Sequence, residues 1–316
     1  MILSLSTSYL QSRYADNSYN MLCRAREMGF EYVELGHSTP LFAVDGILKA
    51  VNENIVKVSS LHNFCPMPSF ATGTACNLFS PSSKNKAEGE LWQKHTLNSL
   101  DLAKKTKAKA IVCHSGQITY FFRPIDYKIQ KYLDFVKDYK TLKDDEKYKK
   151  IAESFKENSA KKSEKHYNFL QKNIDAVSEK FEESSVKIGL ENRDQIPELP
   201  LDWNMAKMYE KRFLNSKTAF LWHDVGHSMK KQILGLYEQL KLAEEIAPYQ
   251  IGWHLHDCDE NGKDHIAVGK GIIDFKALSK FFDVEKHIFT IELNKAVSME
   301  DAIDSRKRLE DIICGA

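Results

Sequence analysis

The chain has no CxxC pair, no glycine-rich phosphate loop, no long apolar run and no marked excess of either charge. Each absence removes a class of protein. The six cysteines, Cys23, Cys65, Cys76, Cys113, Cys258 and Cys314, are scattered through 316 residues. That scatter argues against a zinc ribbon or a thioredoxin-type motif and fits reduced, mostly buried thiols in a cytoplasmic protein. Neither GxGxxG nor GxxxxGKS/T follows the first β-rich run, which weakens a nucleotide-binding reading. No apolar stretch approaches the length needed to span a membrane, and the opening MILSLSTSYL lacks a basic leader, so it reads as a first strand rather than a signal peptide. Forty-five basic residues against 44 acidic ones leave a net charge of +1. A protein built to grip a nucleic-acid backbone usually carries a clear basic excess, so nucleic acid is a disfavoured partner.

What remains is an ordinary globular composition, 42% hydrophobic and 28% charged, sufficient for a large core. Short β-rich runs recur at Ile2–Ser6, Tyr32–Leu35, Val56–Leu61, Ala110–His114, Val186–Glu191, Ala219–His223, Gln250–His256 and Ile288–Glu292. Helical stretches lie between them, among them Asn17–Met28, Glu88–Lys107, Asn204–Phe213, Lys230–Ile246, Phe275–Phe282 and Met299–Ile313. Strands alternating with helices imply a parallel sheet, because parallel neighbours need crossover connections. Eight such units in about 300 residues fit a closed (β/α)8 TIM barrel better than an open sheet. The expected organisation is one domain over 1–316, with a charged helical insertion after strand 4 at about 120–165.

In the segment from Tyr120 to Glu183, Tyr167, Leu170, Ile174 and Val177 follow helical spacing and mark the barrel's own fourth helix. The preceding part reads as an inserted helix or helical hairpin. It is either a solvated elaboration or a lid or dimer arm at the mouth. Thr72–Gly73 and Ser80–Asn85 mark a polar loop after the third strand.

The chemistry lies at the strand ends. His62 ends the third strand, His114 the fourth and Glu191 the fifth. Asp224 and His227 follow the sixth, His254 and His256 lie on the seventh, and Glu292 ends the eighth. In a parallel barrel these ends converge on one mouth. A buried cluster of carboxylates and imidazoles suffers repulsion and desolvation unless a cation neutralises it. A divalent metal ion is the simplest solution, and the mixed ligands suit zinc, manganese, cobalt or iron. His254 and His256 are two apart and share a face, so either could be the ligand. His37, His95, His166 and His287 take a structural reading, and His223 should point away from Asp224. Cys113, Cys258, Trp222 and Trp253 read as packing residues, the tryptophans with a stacking alternative. A second cluster, Asp257, Asp259, Asp264 and His265, follows the seventh strand in HLHDCDENGKDHIAVGKGIIDF. It is either a polar loop, or it adds Asp264 or His265 to the metal or substrate shell.

SLHNF, CHSG, LENRD, HDVGH, HLHD with DHIAVGKGIIDF, and TIEL together resemble the xylose isomerase-like TIM-barrel superfamily. That superfamily includes sugar phosphate isomerases and epimerases and endonuclease IV. The resemblance covers nearly the whole chain apart from the charged insertion. It implies a single-metal site of Glu191, Asp224, His254 and Glu292 holding manganese, zinc, cobalt or magnesium, with His254 preferred over His256. It further implies that Glu191 and Glu292 exchange a proton with a sugar or sugar phosphate through an enediolate held on the metal. His62, His114, His227, Arg193, His256, Asp264 and His265 then meet substrate or a second metal, and Arg193 could instead pair with Glu191 or Asp194. Resemblance to endonuclease IV implies an alternative, a zinc phosphodiesterase acting at abasic sites with His62, His114 and His227 as ligands. That branch carries Asp-x-His after the seventh strand, whereas here Asp264 and His265 are adjacent. A barrel that binds carbohydrate without turnover is a third reading. A homodimer or homotetramer is left open.

Overall fold

The computed structural model describes residues 1–14, 16–71, 76–120, 124–136 and 138–315. Among them eight parallel strands pair in chain order and close into a barrel. They are β1 (Ile2–Ser6), β2 (Tyr32–Leu35), β3 (Lys57–His62), β4 (Ala110–Cys113), β5 (Lys187–Glu191), β6 (Ala219–Asp224), β7 (Gln250–Leu255) and β8 (Ile288–Ile291). Closure is made by β8 against β1, from Ile2 beside Ile288 to Leu5 beside Ile291. The barrel is therefore the (β/α)8 fold expected from the strand–helix alternation.

Among the described residues the helices are α1 (Ser8–Gln11), α2 (Ser18–Glu27), α3 (Val44–Asn52), α4 (Lys86–Thr106), α5 (Tyr127–Leu133), α6 (Glu146–Ser184), α7 (Met205–Arg212), α8 (Val225–Ile233), α9 (Gln239–Ile246), α10 (Phe275–Leu278) and α11 (Met299–Cys314). Asn17, Asn85, Asp145, Asp224 and Ser298 start α2, α4, α6, α8 and α11 by accepting backbone N–H groups. Such caps satisfy donors that the first helical turn leaves free. The expected helix over Lys230–Ile246 is two helices. Asp224 starts α8 directly after β6, and Gly235, at φ +61°, takes the left-handed turn before α9. Among the described residues no helix is long and apolar enough to cross a membrane.

The insertion after β4 is helical as expected, with α5 packed against the first half of α6. From Glu146 the chain runs as one helix of 39 residues into the barrel's own fourth helix. That stretch contains neither Gly nor Pro, so nothing interrupts it. Its second half buries Tyr167, Leu170, Ile174 and Val177 in the main core. Its first half buries Tyr148, Ala152 and Phe155 in a smaller core with Ile129, Leu142, Ile196 and Leu236. Lys140 reaches Glu260 of the loop after β7 at 2.6 Å. Ser80–Asn85 is held by α6: Asn173 donates to the Pro81 carbonyl at 2.7 Å and His166 Nδ1 to that of Ser82 at 3.0 Å. Thr72–Gly73 lies outside the described residues.

The main core fills the space between strands and helices. A second apolar group, Ala110, Val112, Trp222, Ile251 and Ile288, includes the floor of the lumen. Trp222 is fully buried there. Gly189 and Gly252 make room for it, since a Cβ on either would collide with the indole. Burying an indole of roughly 200 Å² at ~25 cal/mol/Å² contributes about 5 kcal/mol. His254 rests on this ring at 5.3 Å between centroids, so the floor also carries the site above it.

Candidate metal centre

Inward-facing residues alternate along each strand, so the lumen layer above Trp222 and Gly252 holds Asp224 and His254. Glu191 on β5 and Glu292 after β8 join them. One donor atom from each of Glu191, Asp224, His254 and Glu292 lies within 4.8 Å of the other three. His254 Nδ1 is 2.9 Å from Glu191 Oε1, 3.1 Å from Glu292 Oε2 and 3.8 Å from Asp224 Oδ2. Asp224 is fixed by its own helix, because Oδ1 accepts the His227 backbone N–H at 2.8 Å.

Burial opposes ionisation of Glu191, yet Arg193 and His254 outweigh it and hold its pKa well below the usual carboxylate range. Asp224 is likewise buried, and His227 and His256 hold it well below that range. Glu292 is lowered against burial by His254 and His265. Burial resists charging His254, but Glu34, Glu292 and Glu191 raise its pKa well above the ordinary value. Three ionised, buried carboxylates thus converge on one imidazole. A divalent cation fits this donor set in charge and in ligand type.

Three further groups surround the quartet, one of which, Asp224, His256 and His265, shares Asp224 with it. His62 Nε2 and His114 Nε2 face Glu191 Oε2 at 3.5 and 3.1 Å. His62 Nδ1 donates to the Asn63 carbonyl at 3.3 Å, and His114 Nδ1 meets Asn77 Oδ1 at 2.6 Å. On the other side His227, Asp264 and His265 form another group, which shares His265 with the Asp224–His256–His265 group. His227 Nδ1 donates to the Asn192 carbonyl at 3.0 Å, which leaves Nε2 facing Asp264. Burial lowers the His227 pKa to about 4, whereas its acidic neighbours raise that of His265 to about 9 against burial.

His256 is placed differently from His254. Its Nδ1 accepts the His265 backbone N–H at 2.8 Å. The remaining ring proton is then on Nε2, which donates to Asp224 at 3.1 Å. Both ring nitrogens are engaged, and the side chain steadies Asp224. Arg193 pairs with Glu191 Oε2 at 3.0 Å and approaches Asp194 and Glu198 at 3.6 and 3.8 Å. Asp257 accepts four backbone N–H groups, from Cys258, Gly269, Gly271 and Ile273, and so anchors the loop that carries Asp264 and His265.

Several residues at the mouth were not singled out from the sequence. Glu34, fully buried on β2, accepts from His254 Nε2 at 3.1 Å and from Ser60 Oγ at 2.7 Å. Its signal was the same as for the others, a carboxylate near a strand end in YVEL. Asn192 brackets Asp224, with Oδ1 accepting its N–H at 2.8 Å and Nδ2 donating to its carbonyl at 3.1 Å. His37 lies edge-on to His62 at 5.0 Å. The other set-aside histidines stand apart from the quartet: His95 stacks on Phe79, His223 on Trp253, and His287 accepts from Trp253 Nε1 at 3.1 Å. All six cysteines are free thiols. Burial pushes Cys258 up to about 12, which suits packing rather than nucleophilic attack.

A closed parallel barrel with a carboxylate–imidazole cluster at its C-terminal mouth defines the class. The family model described as xylose isomerase-like TIM barrel matches residues 22–311, and the chain belongs to that family. It is 25% identical over 319 residues to the uncharacterized protein MJ1614 of Methanocaldococcus jannaschii, covering 98% of this chain and 99% of that one. Among solved structures it resembles a D-tagatose 3-epimerase-like protein, at a TM-score of 0.67 and 16% identity over 99% of this chain and 97% of the other. It also resembles the 3-keto-D-glucoside 4-epimerase YcjR from E. coli, at 0.66 and 11% over 98% and 99%. At these identities the structural likenesses speak to the fold.

Proposed function

We propose that this protein is a divalent-metal-dependent isomerase or epimerase of a small carbohydrate or sugar phosphate. The observation that carries the reading is the convergence of Glu191 and Glu292 on His254 Nδ1, at 2.9 and 3.1 Å, with Asp224 completing the set. Glu191, Asp224, His254 and Glu292 would hold the ion, whether manganese, zinc, cobalt or magnesium. When bound, it polarises substrate oxygens beside the reacting carbon.

The side chains do the rest. Glu191 and Glu292 flank the reacting carbon, and one takes a proton that the same or the other returns. Glu292 makes fewer contacts, while Glu191 is gripped by Arg193, His114 and His254. Glu34 orients His254 from behind. His62, His114, His227 and His265 present ring nitrogens to substrate hydroxyls. Arg193 is already engaged with carboxylates, which favours a sugar over a phosphate ester at that point. In this reading 1–316 acts as one domain. The names of the solved relatives, both epimerases or epimerase-like, point the same way.

A second reading, a zinc phosphodiesterase acting on abasic-site DNA, draws on one observation, the His62, His114 and Glu191 group. It needs about three ions per chain, whereas the isomerase needs about one. Proton exchange decides between them. With Mn²⁺ and a panel of ketoses in D₂O, the wild type should exchange the hydrogen on the carbon next to the carbonyl. Glu191→Gln or Glu292→Gln should slow exchange by about 10²–10⁴-fold with an unchanged circular dichroism spectrum. Near-normal exchange in either variant removes the paired-carboxylate mechanism. Cleavage of abasic-site DNA without sugar exchange would move the assignment to the second reading.

A further inference from the structure

Four donor groups share the mouth, and they differ in what already sits on their donor atoms. Asp224, His256 and His265 share Asp224 with the quartet, and both His256 ring nitrogens are taken, by the His265 N–H and by Asp224. Glu191 splits its two oxygens between groups. Oε1 faces His254 in the quartet, and Oε2 faces His62 and His114. Arg193 Nη1 is on Oε2, at 3.0 Å. On the other flank Lys230 Nζ is 2.7 Å from Asp264 Oδ2, the same oxygen that faces His227 Nε2 at 3.9 Å. Among the described residues no Lys or Arg nitrogen pairs with Glu191 Oε1, Asp224 or Glu292. The His62–His114–Glu191 and His227–Asp264–His265 flanks thus each contain a Lys or Arg contact, whereas among the described residues none reaches the inward-facing oxygens of the quartet.

We propose that Arg193 and Lys230 are built-in cations that close the two flanking donor groups to metal and leave the central quartet as the one exchangeable ion site. The inference rests on the metal reading of the mouth but not on the reaction performed there. A metal bound about 2 Å from Asp264 Oδ2 would lie within roughly 5 Å of the Lys230 ammonium, where like charges repel strongly in a poorly solvated site. The same holds at Glu191 Oε2 for the Arg193 guanidinium. Each cation is held by carboxylates, Lys230 by Asp264 and Asp194 and Arg193 by Glu191, Asp194 and Glu198.

Local geometry keeps both in place. Lys230 is three residues after His227 on α8, so the two side chains rise from one face toward Asp264. Asp194 Oδ2, 3.6 Å from the same ammonium, backs it from the β5 side. Lys231, the next residue, donates its ammonium to the carbonyls of Arg193 and Asp194, which pins the backbone that carries the guanidinium. Charge at the flanks is thus met by protein, and His227 and His265 keep their rings for substrate.

Metal counting tests this without reference to turnover. The wild type is saturated with Zn²⁺, freed of loose ions and measured by mass spectrometry, and crystals are examined by anomalous scattering. One zinc per chain, on Glu191, Asp224, His254 and Glu292, is expected. Lys230→Met keeps the stem and removes the charge. It should gain one zinc, bound by His227, Asp264 and His265, and adding Asp264→Asn should lose it again. A wild-type zinc on either flanking group overturns the proposal, as does Lys230→Met with no added ion. Since sugar exchange is measured separately, either metal result can stand whether or not the isomerase reading survives.

Discussion

The lower and upper halves of the barrel lumen sit on the same strands, often two residues apart. Gly189 precedes Glu191, Trp222 precedes Asp224, Gly252 precedes His254, and Val112 precedes His114. Below, Ala110, Val112, Trp222 and Ile288 pack with a few buried neutral polar side chains, Ser4, Thr290 and Gln250. Above, buried carboxylates and imidazoles crowd together. Packing is self-sufficient in the lower half, because dispersion and water exclusion need no partner of matching charge. The upper half is stable only as a network, since each buried charge must be met by another. The comparison teaches that the floor is held by packing and the mouth by its charge network, and that the two meet where His254 rests on Trp222.

Breaking the floor should have the largest effect. Trp222→Ala opens a cavity in a closed lumen and should cost about 3–5 kcal/mol in chemical denaturation. Metal affinity should also fall, because His254 loses its support. A loss below about 1 kcal/mol would mean that the lumen collapses around the gap and that the two halves are not coupled as described.

Breaking the mouth from behind is a smaller change. Glu34→Gln preserves size but removes the charge that accepts the His254 Nε2 proton. Metal affinity by calorimetry should weaken about 10–100-fold. Glu34→Asp should recover part of it, while an unchanged affinity in Glu34→Gln would reduce Glu34 to a packing residue.

The smallest effect sharpens the contrast between a buried carboxylate inside the network and one outside it. Asp224 and Asp202 are equally buried. Histidines pull Asp224 down, while burial, only partly offset by Lys231, lifts Asp202 to about 6. A folded-state pKa above the unfolded value means that stability is full below about pH 4 and is lost as pH rises through about 6. Asp202→Asn escapes that loss. It should therefore exceed the wild type by about 1–2 kcal/mol at pH 8 and match it near pH 4. A pH-independent difference in melting temperature would show that Asp202 does not titrate as described.

Much of this was legible in the chain. All eight strands fall within one residue at each end of the runs expected from alternation and composition. Strand-end placement brought out His62, His114, Glu191, Asp224, His254 and Glu292 because each is an ionisable group where an apolar strand needs none. The insertion was harder. Charged helix formers support one long helix as readily as two short ones, and packing against Ile129, Leu142, Ile196 and Leu236 holds its first half in place. Glu34 was passed over because one carboxylate in a short strand resembles a solvent-facing residue until the barrel closes around it.

By itself the sequence determined which side chains share the lumen, since the two-residue period of a strand is local backbone geometry. Tertiary structure alone decided which of them meet. The distances from Glu34 to His254, from Arg193 to Glu191 and from Lys230 to Asp264 are set by how strands and loops far apart in the chain are staggered on closure. No local pattern encodes that stagger, and it determines which carboxylates of the mouth meet Arg193 or Lys230 and which meet only histidines.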